Sequence, residues 1–100
     1  MKTKTLKGPT EKEFLSQVTQ LARLNGWMVY HTHDSRHSAK GFPDLVLVRE
    51  RLIFAELKSD GGKLRPEQAA WLAALNRAGV EAYLWGQGEW PEIEVVLRGE

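Results

Sequence analysis

The chain has 100 residues, of which 42% are hydrophobic and 27% charged, with formal net charge +1, four tryptophans and no cysteine. These values fit one small soluble domain and exclude both a disulfide scaffold and a thiolate zinc site. No apolar run is long enough to cross a bilayer, and Met1-Lys2-Thr3-Lys4-Thr5 lacks the apolar stretch of a secretion signal, so a cytoplasmic protein is expected.

Residues 1–9 read as a basic, flexible leader ending at Gly8-Pro9, and residues 10–100 as one domain. Thr10 followed by Glu13 forms a capping box, in which hydroxyl and carboxylate satisfy reciprocal backbone donors at a helix start. Phe14, Leu15, Val18, Leu21 and Ala22 then recur at helical spacing, and Asn25-Gly26 stops the helix, which spans about Glu11 to Leu24. Trp27 to His31 is rich in large and β-branched residues and reads as a strand, followed by a polar loop from Asp34 to Phe42. Leu45 to Val48 and Leu52 to Ala55 are apolar on both alternating faces, the pattern of strands in the middle of a covered sheet. After Asp60-Gly61-Gly62, Pro66 opens a second helix through Trp71, Leu72 and Leu75, which Gly79 ends. Val80 to Trp85 is a further strand, and the tail from Trp90 to Leu97 is left unassigned. The expected architecture is an α/β domain, a mixed sheet flanked by helices. Trp27, Trp71 and Tyr83 are expected in the core, with Trp85 and Trp90 partly exposed.

A turn centred on Glu50 pairs Val48 with Leu52, Val46 with Phe54, and Asp44 with Glu56. Directly opposed residues share a face, with β-carbons about 5 Å apart, so two carboxylates meet at the end of a central hairpin. Alternation along the strand puts Lys58 on the same face as Glu56. Carboxylates held so close either raise one pKa or call for a cation between them. Hard oxygen ligands with room for water suit Mg²⁺ or Mn²⁺, and an adjacent lysine can orient a water or take its proton. That constellation suits phosphodiester hydrolysis. The structural alternative is that Asp44 caps a turn after Pro43 while Glu56 and Lys58 form an ordinary ion pair.

Pro43-Asp44 followed by Glu56-Leu57-Lys58 resembles the PD-(D/E)xK motif of the restriction-endonuclease-like superfamily. The wider set Gly41-Phe42-Pro43-Asp44-Leu45, Glu56-Leu57-Lys58, Pro66-Glu67-Gln68 and Trp71-Leu72 resembles the VRR-NUC nucleases. The resemblance implies an αβββαβ core, Mg²⁺ or Mn²⁺, and DNA hydrolysis. It also implies that Asp44 and Glu56 are metal ligands, that the Leu57 carbonyl contributes, and that Lys58 is the catalytic lysine. Family members use a glutamate from the first helix. Glu11 and Glu13 are both candidates, and Glu11 is preferred because it shares the stripe of Phe14, Leu15 and Val18, whereas Glu13 serves the capping box. Gln68 matches a glutamine that the family keeps near its site; an exposed helical glutamine is the alternative.

Candidate DNA contacts are His31 and His33, which alternate onto one strand face, Arg36, His37 and Lys40 in the loop before Asp44, and Lys63 and Arg65 before the second helix. Each can instead be an ordinary solvated side chain. One metal site cuts one strand, so a symmetric substrate calls for a two-fold homodimer. The stand-alone members of the family that the motifs resemble are similar to Holliday-junction resolvases in this respect, so the resemblance implies a metal-dependent, structure-selective DNA endonuclease with four-way junctions as the favoured substrate. A less selective flap or duplex nuclease, and a DNA-binding module that does not cut, are the alternatives.

Overall fold

The computed structural model describes residues 8–33, 39–59 and 62–99. The first helix, α1 (Glu11–Leu24), begins where the sequence places it. Thr10 Oγ1 accepts from the Glu13 backbone N–H at 3.1 Å, and Glu13 Oε1 accepts from the Thr10 N–H at 2.8 Å. Its apolar stripe buries Phe14, Val18 and Ala22. Asn25 closes the helix and Gly26, at φ +85°, reverses the chain in a conformation that a side chain would strain.

Strands β1 (Met28–His31), β2 (Leu45–Val48) and β3 (Leu52–Leu57) form an antiparallel meander, and β4 (Glu81–Trp85) lies parallel to β3. Spatial order follows sequence order, β1-β2-β3-β4. A parallel pair needs a crossover, and α2 (Pro66–Arg77) supplies it, packing chiefly against β4. The unassigned tail folds as a short 3₁₀ turn (Gln87–Glu89) and a third helix, α3 (Trp90–Arg98). Its apolar Ile93, Val96 and Leu97 are buried at i, i+3 and i+4, but four scattered apolar residues in the sequence do not distinguish that stripe from an irregular strand.

One face of the sheet carries Leu45, Leu47, Ile53, Ala55, Leu57 and Trp85, all buried against Phe14, Val18 and Ala22 of α1 and Ile93 and Leu97 of α3. Trp27 joins this core and donates its indole N–H to the Leu97 carbonyl at 2.7 Å. The Arg49 guanidinium lies 4.9 Å over the Trp27 ring and donates to the Asn25 carbonyl at 3.1 Å, tying the β2–β3 turn to the end of α1. Trp85, expected to be partly exposed, is fully buried. Alternation along β4 turns it to the helix-covered face, where it stacks on Tyr83 with ring centroids 5.1 Å apart. Trp90 is half-buried and tilts against Phe14.

The opposite face is covered unevenly. Phe42 packs edge-on against both Phe54 and Trp71, at 5.8 and 5.1 Å, and the Trp71 indole N–H donates to the Lys40 carbonyl. Trp71 is thus a half-buried clamp on the loop before Asp44 and lies outside the main core in which it was expected. Tyr83 is also only half-buried, packed against the core edge. Because α2 sits over β4, Met28, Tyr30, Val48 and Leu52 remain exposed. The apolar pattern of β2 and β3 therefore overstates how much of this face is covered.

Candidate active site

The hairpin register is the one that the Glu50-centred turn implies: Val48 opposes Leu52, Val46 opposes Phe54, and Leu45 opposes Ala55. The ladder ends there; Asp44 and Glu56 are the next residues on the two sides, close enough for the Asp44 charge to act on the Glu56 carboxyl. Asp44 is held there by its own backbone and side chain. Its carbonyl accepts from the Thr32 N–H at 2.8 Å, and its Oδ2 accepts from the Leu57 N–H at 2.8 Å. Pro43, a buried residue with no N–H to place in the ladder, lies two residues before β2 begins.

Glu56 is 2% exposed, an unusual position for a carboxylate. Its Oε2 accepts from the Gln68 side-chain amide at 2.7 Å and lies 3.7 Å from the Lys58 ammonium. Its Oε1 is buried and has no hydrogen-bond partner. Burial pushes the Glu56 carboxyl up to about 7, the Asp44 and Glu11 charges add to the rise, and Lys58 and the Asp44 backbone N–H oppose it. Like-charge repulsion follows from the pairing of two acids, whereas desolvation, the larger cause, comes from a depth of burial that the pairing does not imply.

Gln68 is 5% exposed. Its Oε1 accepts from the Arg65 N–H at 2.8 Å while its amide nitrogen serves Glu56, so it joins the start of α2 to the acidic pair. The alternative of an exposed helical glutamine does not hold. Gly41 allows this assembly: at φ +88° it lies so near Glu67 that a Cβ would come within 2.5 Å of the Glu67 carbonyl carbon. The loop before Asp44 is thereby pressed against the first turn of α2. A glycine followed by Phe-Pro-Asp signals a tight turn in the sequence, but not the element it presses against.

Glu11 and Glu13 separate as their helix positions imply. Glu13 is engaged in the capping box, whereas Glu11 lines, with Asp44 and Leu57, one end of a cleft of about 830 Å³ between α1 and β1. His31 and His33 line the same cleft, with ring centroids 4.6 Å apart. Lys40, Lys63 and Arg65 are exposed around the start of α2. Arg36 and His37 lie outside the described residues. Lys12 and Arg23, which are not among the candidate DNA contacts of the sequence, also line the cleft.

Among the described residues, no three histidine, aspartate or glutamate side chains close around one point. The donor set at the hairpin end is accordingly two carboxylates and the strand backbone. Such a set fits a hard cation that retains several waters, which Mg²⁺ does with one or two carboxylates. The orphaned Glu56 Oε1 is the specific observation in favour of that fit: a buried, unpartnered oxygen is costly without a donor or cation beside it.

A mixed four-stranded sheet crossed by a helix, with an Asp–Glu–Lys group at the end of its central hairpin, defines a restriction-endonuclease-like α/β domain. A model of the VRR-NUC domain matches residues 4–86, and the chain belongs to the VRR-NUC family, which implies a nuclease-type function. A solved structure described as a VRR_NUC domain aligns at TM-score 0.71 and 18% identity, covering 89% of this chain and 95% of that one. Another, described as a VRR_NUC domain protein, aligns at TM-score 0.72 and 24% identity, covering 90% and 87% respectively. At these identities the two structures share the fold. No curated protein sequence matches. Among the described residues, no helix is long and apolar enough to cross a membrane.

Proposed function

We propose that the protein is a metal-dependent DNA endonuclease that hydrolyses phosphodiester bonds in branched DNA, with four-way junctions as the favoured substrate of a two-fold homodimer. The observation that carries the reading is the buried Glu56 carboxylate, with one oxygen held by Gln68 and the other unpartnered, opposite a fixed Asp44. Asp44, Glu56 and the Leu57 carbonyl would hold Mg²⁺ or Mn²⁺, with Glu11 contributing negative charge from α1. The bound cation supplies Lewis-acid stabilisation of the phosphate and lowers the pKa of an attacking water.

The chain's own groups have distinct tasks. The Leu57 N–H fixes Asp44 Oδ2, and Gln68 fixes Glu56 Oε2, so neither carboxylate must be reoriented when charge develops. The Lys58 ammonium, only 17% exposed, offers positive charge to a phosphate oxygen beside Glu56 and a nitrogen able to exchange a proton with water. Lys40, Lys63 and Arg65 provide phosphate contacts around the α2 start. Such contacts position a duplex without reading its bases, in keeping with selection by DNA shape.

Labelled four-way junction, flap and linear duplex, incubated with the protein in Mg²⁺ or Mn²⁺, test the reading. Faster cutting of the junction, abolished by EDTA and by Asp44→Ala while DNA binding persists, is expected. Equal rates on all three remove junction selectivity and leave the flap or duplex nuclease; full cleavage by Asp44→Ala rules out the site. Sedimentation at the assay concentration checks for the dimer.

A further inference from the structure

The cleft between α1 and β1 is more than the rear wall of the acidic pair. Its floor is apolar, formed by Leu15 and Val29, while Lys12 and Arg23 stand on its α1 rim. The two rim cations are 11 residues apart, about 16 Å along a helix. On the β1 side the His31 and His33 rings meet edge to face. The acids that line it, Glu11 and Asp44, lie together at the end where Leu57 leads to the hairpin.

We infer that this cleft holds a short unpaired DNA strand and leads it to the acidic pair; the inference rests on the nuclease reading and deepens it. A paired strand exposes phosphates but keeps its bases stacked inside the duplex, so it has no use for an apolar floor. An unpaired strand offers both groups. Its phosphates suit Lys12 and Arg23 on the rim, and its base faces suit the imidazole rings and the Leu15–Val29 floor, the combination used for single-stranded nucleic acid. The charges also give a direction: Arg23 stands at the far end of α1 and Lys12 next to Glu11, so the rim attracts the strand at both ends, while Glu11 and Asp44 would repel a phosphate at theirs unless a divalent cation stood between them. The nucleotides nearest the cut would thus be unpaired, as they are at a flap or an opened branch point.

Fluorescence anisotropy with a labelled 12-nucleotide oligothymidine in EDTA, where no cutting is required, provides the test. Arg23→Glu is expected to weaken binding by about tenfold and to reduce the dependence of log K on log salt by about one. Ser16→Trp, an exposed α1 position facing the cleft, is expected to weaken binding by obstruction, and His31→Ala with His33→Ala by about tenfold through lost stacking. Arg77→Glu, at the far end of α2, serves as the charge control and leaves affinity unchanged. Wild-type affinity in both Arg23→Glu and Ser16→Trp overturns the inference, as does tighter binding of a blunt 12-base-pair duplex with the same losses in the variants. Circular dichroism melting confirms that the variants are folded. If the cleft variants lose oligothymidine while wild-type protein cuts no DNA in Mn²⁺, the cleft stands and the nuclease reading falls; cutting without any effect of the cleft variants gives the reverse.

Discussion

Replacing Glu56 by glutamine separates the burden of this residue on the fold from its use. A carboxyl whose folded pKa rises from 4.5 to about 7 is protonated with little strain at pH 4, ionises first in the unfolded chain as pH increases, and is fully ionised in both states above pH 8. Its contribution to stability is therefore intact below pH 4.5 and lost as pH rises through 7. The rise corresponds to about 3 kcal/mol, of which about 2–3 kcal/mol falls between pH 5 and pH 8. Glutamine keeps an oxygen for the Gln68 amide but has no charge to bury. The expected result, from urea or thermal unfolding in EDTA, is that the stability of Glu56→Gln relative to wild type increases by about 2–3 kcal/mol from pH 5 to pH 8, or about 10–20 °C in melting temperature for a domain of this size. The comparison of slopes is independent of any constant cost of placing a second amide N–H in the pocket. Mn²⁺ at pH 8 is expected to stabilise wild type and not the variant, because it removes the repulsion that the variant lacks. Parallel pH profiles for the two proteins would refute the reasoning: they would mean that Glu56 is not ionising against its surroundings.

Other perturbations probe the scaffold around the pair. Gly41→Ala is expected to lose more than about 1 kcal/mol and to reduce cleavage, because it strains a positive φ and meets the Glu67 backbone; chemical denaturation and the junction assay read the two effects. The Arg51 guanidinium donates to both oxygens of Glu81, at 2.9 and 2.6 Å, and holds that carboxyl down to about 2. The pair's contribution is present above pH 4.5 and is lost as pH falls toward 2. With both side chains about one-third exposed, it is worth at most about 1 kcal/mol, and Glu81→Gln should flatten that part of the acid unfolding curve. Phe14→Ala, which empties the centre of the α1 stripe, is expected to cost about 3–5 kcal/mol in urea unfolding.

The local elements and the hairpin register that brings the two acids near each other were readable from neighbouring residues alone. The Thr10–Glu13 box, the period of Phe14, Val18 and Ala22, and the Pro66 and Gly79 boundaries depend on neighbours within one or two turns of chain. The approach of Asp44 to Glu56 follows from a short turn and strand alternation, because the Val48–Leu52 and Val46–Phe54 pairs that set it are local. The capping task of Glu13 was legible too, since the Thr10–Glu13 spacing alone sets it. Tertiary structure decided what lies far apart in the chain. The last helix takes its form from burying Ile93, Val96 and Leu97 on a sheet face whose existence no residue in the tail encodes. Trp85 went inside because β4 aligns in parallel with β3 and turns that ring toward the helices. Glu56 meets Gln68 only because α2 brings that amide to Oε2, while Oε1 is left buried without a partner, and the cleft lies between α1 and the edge strand β1. Burial and enclosure are properties of assembled surfaces, so alternation can say which residues share a face but not how deeply that face is covered.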